Sequence, residues 1–315
     1  MRHYSADNNF AYKSDNYKKA NRKSSQLSNS ILSQMFGSAF RQSLFDKKGL
    51  TMKIIDFHAH IYPDKIAGKA VNSVGEFYNL EMNGNGTVNG LLEGAGGLGI
   101  EGFVVHSVAV TPSTVLAIND FISGECEKHG EFIGFGTMHA GFEDKLAEAE
   151  RMRALGLKGV KIHPDTQKFN IDDERMFELY DYMSQCKMPL LIHTGDYRYD
   201  FSHPGRLKKI LHLFPNLIAI GAHFGGWSIP DLAFEYLENE RCFVDTSSSF
   251  AMIGARRAKE LIRLYGAERV LFGTDFPMWN AESELNTFYS LKLTKDEEEL
   301  ILHKNAERIL GITEG

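Results

Sequence analysis

The chain has 315 residues and a mass of 35.5 kDa, 43% of it hydrophobic and 24% charged, a make-up that suits a globular protein able to bury one full core. Its formal net charge of -6 and sequence pI near 6.1 argue against a nucleic-acid partner, because phosphate binding needs clustered basic charge. No apolar run reaches the roughly 18 residues of a membrane span, and the three scattered cysteines (Cys126, Cys186, Cys242) suit neither a disulfide framework nor a four-thiolate zinc site, so they read as reduced thiols in a cytoplasmic setting.

The first 51 residues are rich in Ser, Asn and Lys, poor in acidic groups and without clear apolar periodicity, so disorder is expected there. Met52 directly precedes the first strand-like run, which favours an upstream extension or a mis-assigned start over a transit peptide. Residues 30–44 have the spacing of a short amphipathic helix. Residues 52–315 are expected to form one domain.

From Lys53 onward, strand-like and helix-like segments alternate. Strands are expected at about 53–58, 102–109, 132–138, 157–163, 188–193, 217–222, 241–247 and 269–274. Their aliphatic runs lack alternation, as strands buried on both faces do. The glycine-rich stretch 83–102 is expected to hold the first barrel helix through Val88, Leu91 and Leu92. Its Gly94–Gly99 run precedes a strand, whereas a dinucleotide fingerprint follows one, so it reads as part of the rim. Thr111-Pro112-Ser113 opens a helix with Val115, Leu116, Ile118, Phe121 and Ile122 facing inward. Asp172 or Asp173 caps the next, whose inner stripe is Met176, Phe177, Tyr180 and Met183. Ser228-Ile229-Pro230-Asp231 has capping-box spacing with a first-turn proline. Thr294 and Glu297 form a second capping box, and Gly311 closes the last helix. Eight β-then-α units specify the α/β class and a single (β/α)8 TIM-type barrel.

The strand ends carry the chemistry. In Asp56-Phe57-His58-Ala59-His60 the strand period of two places both imidazoles on one face, within reach of a single cation. Three further apolar runs finish in His193, His223 and Asp275. A barrel collects such residues at one mouth, where three imidazoles, a carboxylate and an open position suit a catalytic zinc-type site. Such an ion lowers the pKa of a bound water to roughly 7. Asp275 is suited to both ligation and proton abstraction, and His223 to acid/base work beside the ligands. Lys161 and His163 share the inward face at the fourth strand's end. Arg198, in the loop after His193, is a candidate for gripping a substrate carboxylate, or a plain surface ion pair. His106 and His139 read as pocket wall or satisfied core. Asp245, with Ser247 and Ser248, is either pocket lining or a helix cap, and Trp227 and Trp279 are candidates for an aromatic wall.

Five motifs together resemble the amidohydrolase superfamily, in particular the branch containing aminocarboxymuconate-semialdehyde decarboxylase. They are Asp56-Phe-His58-Ala-His60, Gly159-Val-Lys161-Ile-His163-Pro164, Leu191-Ile-His193-Thr-Gly195, Ala222-His223-Phe-Gly-Gly226 and Phe272-Gly-Thr-Asp275-Phe-Pro277. The resemblance spans residues 53 to about 312. It implies one divalent metal, with zinc favoured, held by His58, His60, His193 and Asp275, and His223 contacting the activated water. In ureases and hydantoinases a lysine at the position of Lys161 is carboxylated and bridges two metals. In the decarboxylase-like branch one metal is usual, which leaves Lys161 and His163 to bind substrate. The expected function is metal-dependent hydrolysis of an amide, cyclic amide or lactone. The alternative is non-oxidative decarboxylation of an aromatic or unsaturated acid, disfavoured because Arg198 is the only persuasive carboxylate-gripping arginine. A small-molecule substrate is expected, without nucleic acid or membrane, and a homodimer is left open. A metal-binding barrel without turnover is the non-enzymatic alternative.

Overall fold

The computed structural model describes residues 52–312. The expectations for residues 1–51 lie outside the described residues. Eight parallel strands follow one another around the sheet: β1 (Ile54–His60), β2 (Ile100–His106), β3 (Phe132–Thr137), β4 (Gly159–Ile162), β5 (Leu190–Ile192), β6 (Ala219–Gly221), β7 (Phe243–Asp245) and β8 (Val270–Leu271). Their order is sequential, and the segment after β8 returns to β1. Phe57 N donates to Phe272 O at 2.8 Å, Asp275 N to His58 O at 2.8 Å and His60 N to Phe276 O at 2.7 Å. This is the expected (β/α)8 barrel, nearly closed. Among the described residues no helix is long and apolar enough to cross a membrane.

Ile55, Phe57, Val104, Phe135, Leu191, Ile220 and Leu271 form a buried core cluster, joined by Ala306 and Ile309 of the last helix. Phe57 meets Phe135 edge to face at 5.7 Å. The register of β1 against β2 slips between Asp56 and Ala59. That extra residue changes the phase of the strand, so Phe57 belongs to the core cluster while His58 and His60 both reach the mouth.

The later ladders are shorter than expected. β5, β6 and β8 end at Ile192, Gly221 and Leu271, before the residues that carry the chemistry. The chain leaves the sheet through left-handed conformations at His223 (φ 61°), Phe224 (φ 51°) and Asp275 (φ 60°). Non-glycine residues hold such angles only where surrounding structure imposes them.

The first crossover also differs from expectation. It holds two helices, α1 (Asp64–Tyr78) and α2 (Val88–Ala95), rather than one within the glycine-rich stretch. No side chain caps the start of α1 and it contains Gly68 and Gly75, so the usual punctuation was absent from the text. The third helix, α3 (Val115–Lys128), follows a single 3-10 turn at Pro112–Thr114. It buries Val115, Asn119, Ile122 and Ser123 against the barrel, while Leu116 is exposed and Ile118 and Phe121 are half-buried. Asp173, Thr294 with Glu297, and Gly311 cap their helices as expected. Ser228 does not cap. Its hydroxyl instead donates to Gly195 O at 3.2 Å and accepts from Tyr197 N at 2.9 Å, tying together the loops after β5 and β6.

Those two loops nearly touch. Gly195 has φ +75°, and a Cβ there would lie 2.3 Å from the Gly226 Cα. Backbone cannot retreat as a side chain can. Gly195→Ala is therefore expected to lower stability by at least about 1–3 kcal/mol, read as a fall in the urea midpoint; an unchanged midpoint would show that the loops part freely.

Candidate active site

His58, His60, Lys161, His163, His193, His223 and Asp275 line one cavity of about 1060 Å³ at the C-terminal ends of the strands. Three of their ligand-capable atoms form a tight triangle. His58 Nε2 lies 3.3 Å from His60 Nε2 and 3.3 Å from Asp275 Oδ1, and His60 Nε2 lies 3.5 Å from Asp275 Oδ1. Ligands about 2.0–2.1 Å from a tetrahedral zinc-type ion stand about 3.3–3.4 Å apart. The triangle thus has the dimensions of one face of such a coordination shell.

Two of the three corners are oriented from behind. His58 Nδ1 lies 2.9 Å from Asp245 Oδ2, which leaves Nε2 as the free nitrogen. Asp275 Oδ2 accepts from Ser248 Oγ at 2.5 Å, and that hydroxyl accepts from Trp279 Nε1 at 2.8 Å, so Oδ1 faces the histidines. Asp245 Oδ1 also accepts the backbone N–H of His223 at 2.9 Å. One β7 carboxylate therefore positions residues from β1 and from the β6 loop.

His193 and His223 face each other, with His193 Nδ1 3.0 Å from His223 Nε2. His223 Nδ1 lies 2.9 Å from Ser247 O, an acceptor that requires the proton on Nδ1 and frees Nε2. On its far side His193 Nε2 lies 3.6 Å from Asp165 Oδ2, and neither atom makes a hydrogen bond of normal geometry. His163 stacks on His193 at 3.8 Å with its Nε2 2.7 Å from the Tyr78 hydroxyl, which α1 supplies. Lys161 Nζ reaches within 3.0 Å of His58 Nε2.

The protonation states suit a cation. Burial, aided by Lys161, lowers His58 to about 4, and burial lowers His60 and His193 as well. Although burial opposes it, nearby His58, His60 and His223 hold the Asp275 carboxyl well below its ordinary range. Neutral imidazoles and an ionised carboxylate are the forms that bind metal. Burial also pushes Lys161 down to about 8.

Arg198 stands elsewhere. Its guanidinium grips Asp196 at 2.9 and 2.6 Å, donates to Phe77 O at 2.7 Å and lies over the Phe77 ring at 4.8 Å, and it does not line the cavity. His106 is buried but not satisfied. Both ring nitrogens lack partners, and the ring stands edge-on to His60 at 4.3 Å. Its ligand-capable atom lies within 4.8 Å of those of His58 and His60, and the same holds within His58, His223 and Asp245 and within His163, Asp165 and His193. Sequence reasoning missed Tyr78 and Asp165. Asp165 directly follows Pro164, the last residue of the second motif, and could have been noticed there, whereas nothing local marks Tyr78.

This is a (β/α)8 barrel whose mouth gathers histidine and aspartate groups that could hold a metal ion. Residues 55–312 match the amidohydrolase family, and the chain belongs to it. No curated protein matches the chain. Among solved structures it is similar to an uncharacterised TIM-barrel protein from Bordetella bronchiseptica (21% identity, 82% of this chain and 98% of the other, TM-score 0.68). It is also similar to a dihydroxybenzoic acid decarboxylase from Polaromonas with bound manganese (16% identity, 84% and 98%, TM-score 0.65). A third is a putative 2-pyrone-4,6-dicarboxylic acid hydrolase from Pseudomonas putida (18% identity, 84% and 100%, TM-score 0.59). At these identities the likeness shows the fold, and both hydrolases and decarboxylases share it.

Because Asp245 orients two of the site histidines, Asp245→Asn is expected to weaken divalent-cation affinity about 10–100-fold, measured by chelator competition with Zn²⁺. Equal affinity in a variant of unchanged circular dichroism would remove Asp245 from the site's support.

Proposed function

We propose that this protein is a metal-dependent hydrolase of an amide, cyclic amide or lactone. The observation that carries the reading is the triangle of His58 Nε2, His60 Nε2 and Asp275 Oδ1. With His193, whose Nδ1 would give up its contact with His223, these residues would hold one divalent ion, zinc by their donor set. When bound, the ion supplies Lewis acidity and makes a neutral-pH water nucleophilic.

The chain's own groups handle position and protons. Asp275 Oδ1 takes the proton of the attacking water while Ser248 keeps the carboxylate from rotating. His223, anchored through Nδ1 on Ser247 O, takes that proton on Nε2 after Asp275 and hands it to the departing nitrogen or oxygen. Lys161 and His163 line the cavity and bind the substrate's carbonyl oxygen or an adjacent anionic group. In this reading Lys161 remains an amine, and one metal per chain is expected. Two metals per chain would favour carboxylated Lys161 instead.

Hydrolysis is preferred to decarboxylation because no arginine among the described residues lines the cavity, and the Arg198 guanidinium is already engaged by Asp196 and Phe77. A specific observation keeps the second reading in view: Lys161 is a buried cation beside the triangle, suited to hold a carboxylate. Protein stripped of metal and reloaded with Zn²⁺ or Mn²⁺ separates the two, assayed for lactone and amide cleavage and for carbon dioxide release from aromatic acids. Cleavage restored by metal without gas evolution is the expected result; gas evolution alone would establish the lyase. Asp275→Asn is expected to lower kcat about 10²–10⁴-fold, and full activity in that variant would exclude Asp275 as the base.

A further inference from the structure

Helices α1 and α3 carry more apolar surface than the barrel uses. α1 buries Ala67 and Val71. A second stripe, Ile66, Ala70, Val74 and Phe77, recurs at the spacing of one helical face and lines the cavity instead. On α3, Val115 and Ile122 face the barrel while Ile118 and Phe121 line the cavity. A helix needs one apolar face to dock. Along these faces Ile66 is 45% exposed and, in the loop between β2 and α3, Val110 is 55% exposed, so apolar side chains border the cavity in contact with solvent.

The two stripes are walls of the same cavity that holds the histidines and Asp275. Its volume of about 1060 Å³ stands at the upper end of single-ligand pockets, roughly 300–1,000 Å³. Polar groups crowd the inner end. The outer walls are aliphatic and aromatic, with Lys65, Lys69 and Asp120 along the cavity as well, and Asp120 paired with Arg151 at its margin. A small ring would fill the inner end and leave the outer walls wet.

We propose that the substrate carries a long apolar arm, an alkyl chain or second ring system, that lies between α1 and α3 while its carbonyl reaches the triangle. This rests on the hydrolase reading for the reaction and on the shape of the cavity for the arm. Ile66, Ala70, Val74, Ile118 and Phe121 are then specificity determinants, and the crossover after β1 together with α3 sets chain-length preference.

The test is a series of γ-lactones from γ-butyrolactone to γ-dodecalactone with the Zn²⁺-loaded full chain. The expected result is a kcat/KM that climbs by up to about fourfold per added methylene before levelling. In Ala70→Phe and Val74→Trp, which fill the outer space, the ratio of kcat/KM for the longest to the shortest lactone is expected to fall at least tenfold at unchanged melting temperature. Calorimetry with dodecanoate against acetate reads the arm without turnover, so it decides the proposal even if no lactone is cleaved and the hydrolase reading fails. Tighter dodecanoate binding, weakened in Ala70→Phe, supports the arm. A flat lactone series, or equal binding of the two acids, overturns it, and a protein that is then dimeric by light scattering would assign the stripes to an interface.

Discussion

Three atoms that would repel or ignore one another in water are held within 3.5 Å: two imidazole nitrogens and a carboxylate oxygen. The carboxylate is ionised and buried, a state that burial alone disfavours. Lys161, its Nζ 3.0 Å from His58 Nε2, offsets part of that charge, and a metal cation joining the three atoms would offset it further. The surrounding structure is arranged to make that approach unavoidable. The slipped register of β1 turns both histidines to the mouth, the left-handed backbone at Asp275 swings its carboxylate inward, and Asp245 and Ser248 remove rotational freedom at two corners.

The electrostatics follow from the same constraint. Asp245 and Asp275 are buried with His58 between them, and Lys161 is the nearest lysine, its Nζ 3.0 Å from that ring. An ammonium can balance one carboxylate but is itself pushed toward neutrality by burial, to about 8. Asp56 is relieved differently: burial raises it to about 7 while Thr274 and the His58 N–H hydrogen-bond it, so it acts as a structural staple between β1 and the segment after β8.

Much of this was readable in the text because barrel strands are apolar throughout, and a histidine or aspartate at the end of such a run has few structural reasons to be there. His58, His60, His193, His223 and Asp275 stood out on that ground, and the cavity brings them together. What could not be read depends on contacts distant in sequence. The role of Asp245 requires knowing that β7 ends beside β1 across the barrel. Tyr78 is one aromatic among many until α1 places its hydroxyl on His163. Arg198 was weighed as a substrate grip or a plain ion pair, and the ion pair is what forms: Asp196 stands two residues away and already occupies the guanidinium. His106 was weighed as pocket wall or satisfied core, but it does not line the cavity and neither ring nitrogen is bonded. Position alone cannot show whether a buried nitrogen has a partner.

The division of labour within the barrel explains why α1 escaped notice and why it matters. The strands are under one demand, to fill the core and present ligands, so their pattern is clean. α1 buries Ala67 and Val71 and lines the cavity through Ile66, Ala70, Val74, Phe77 and Tyr78. What it lacks is punctuation: no side chain closes its start, and Gly68 and Gly75 interrupt its interior. The part of the molecule it borders is the cavity at whose inner end the triangle stands.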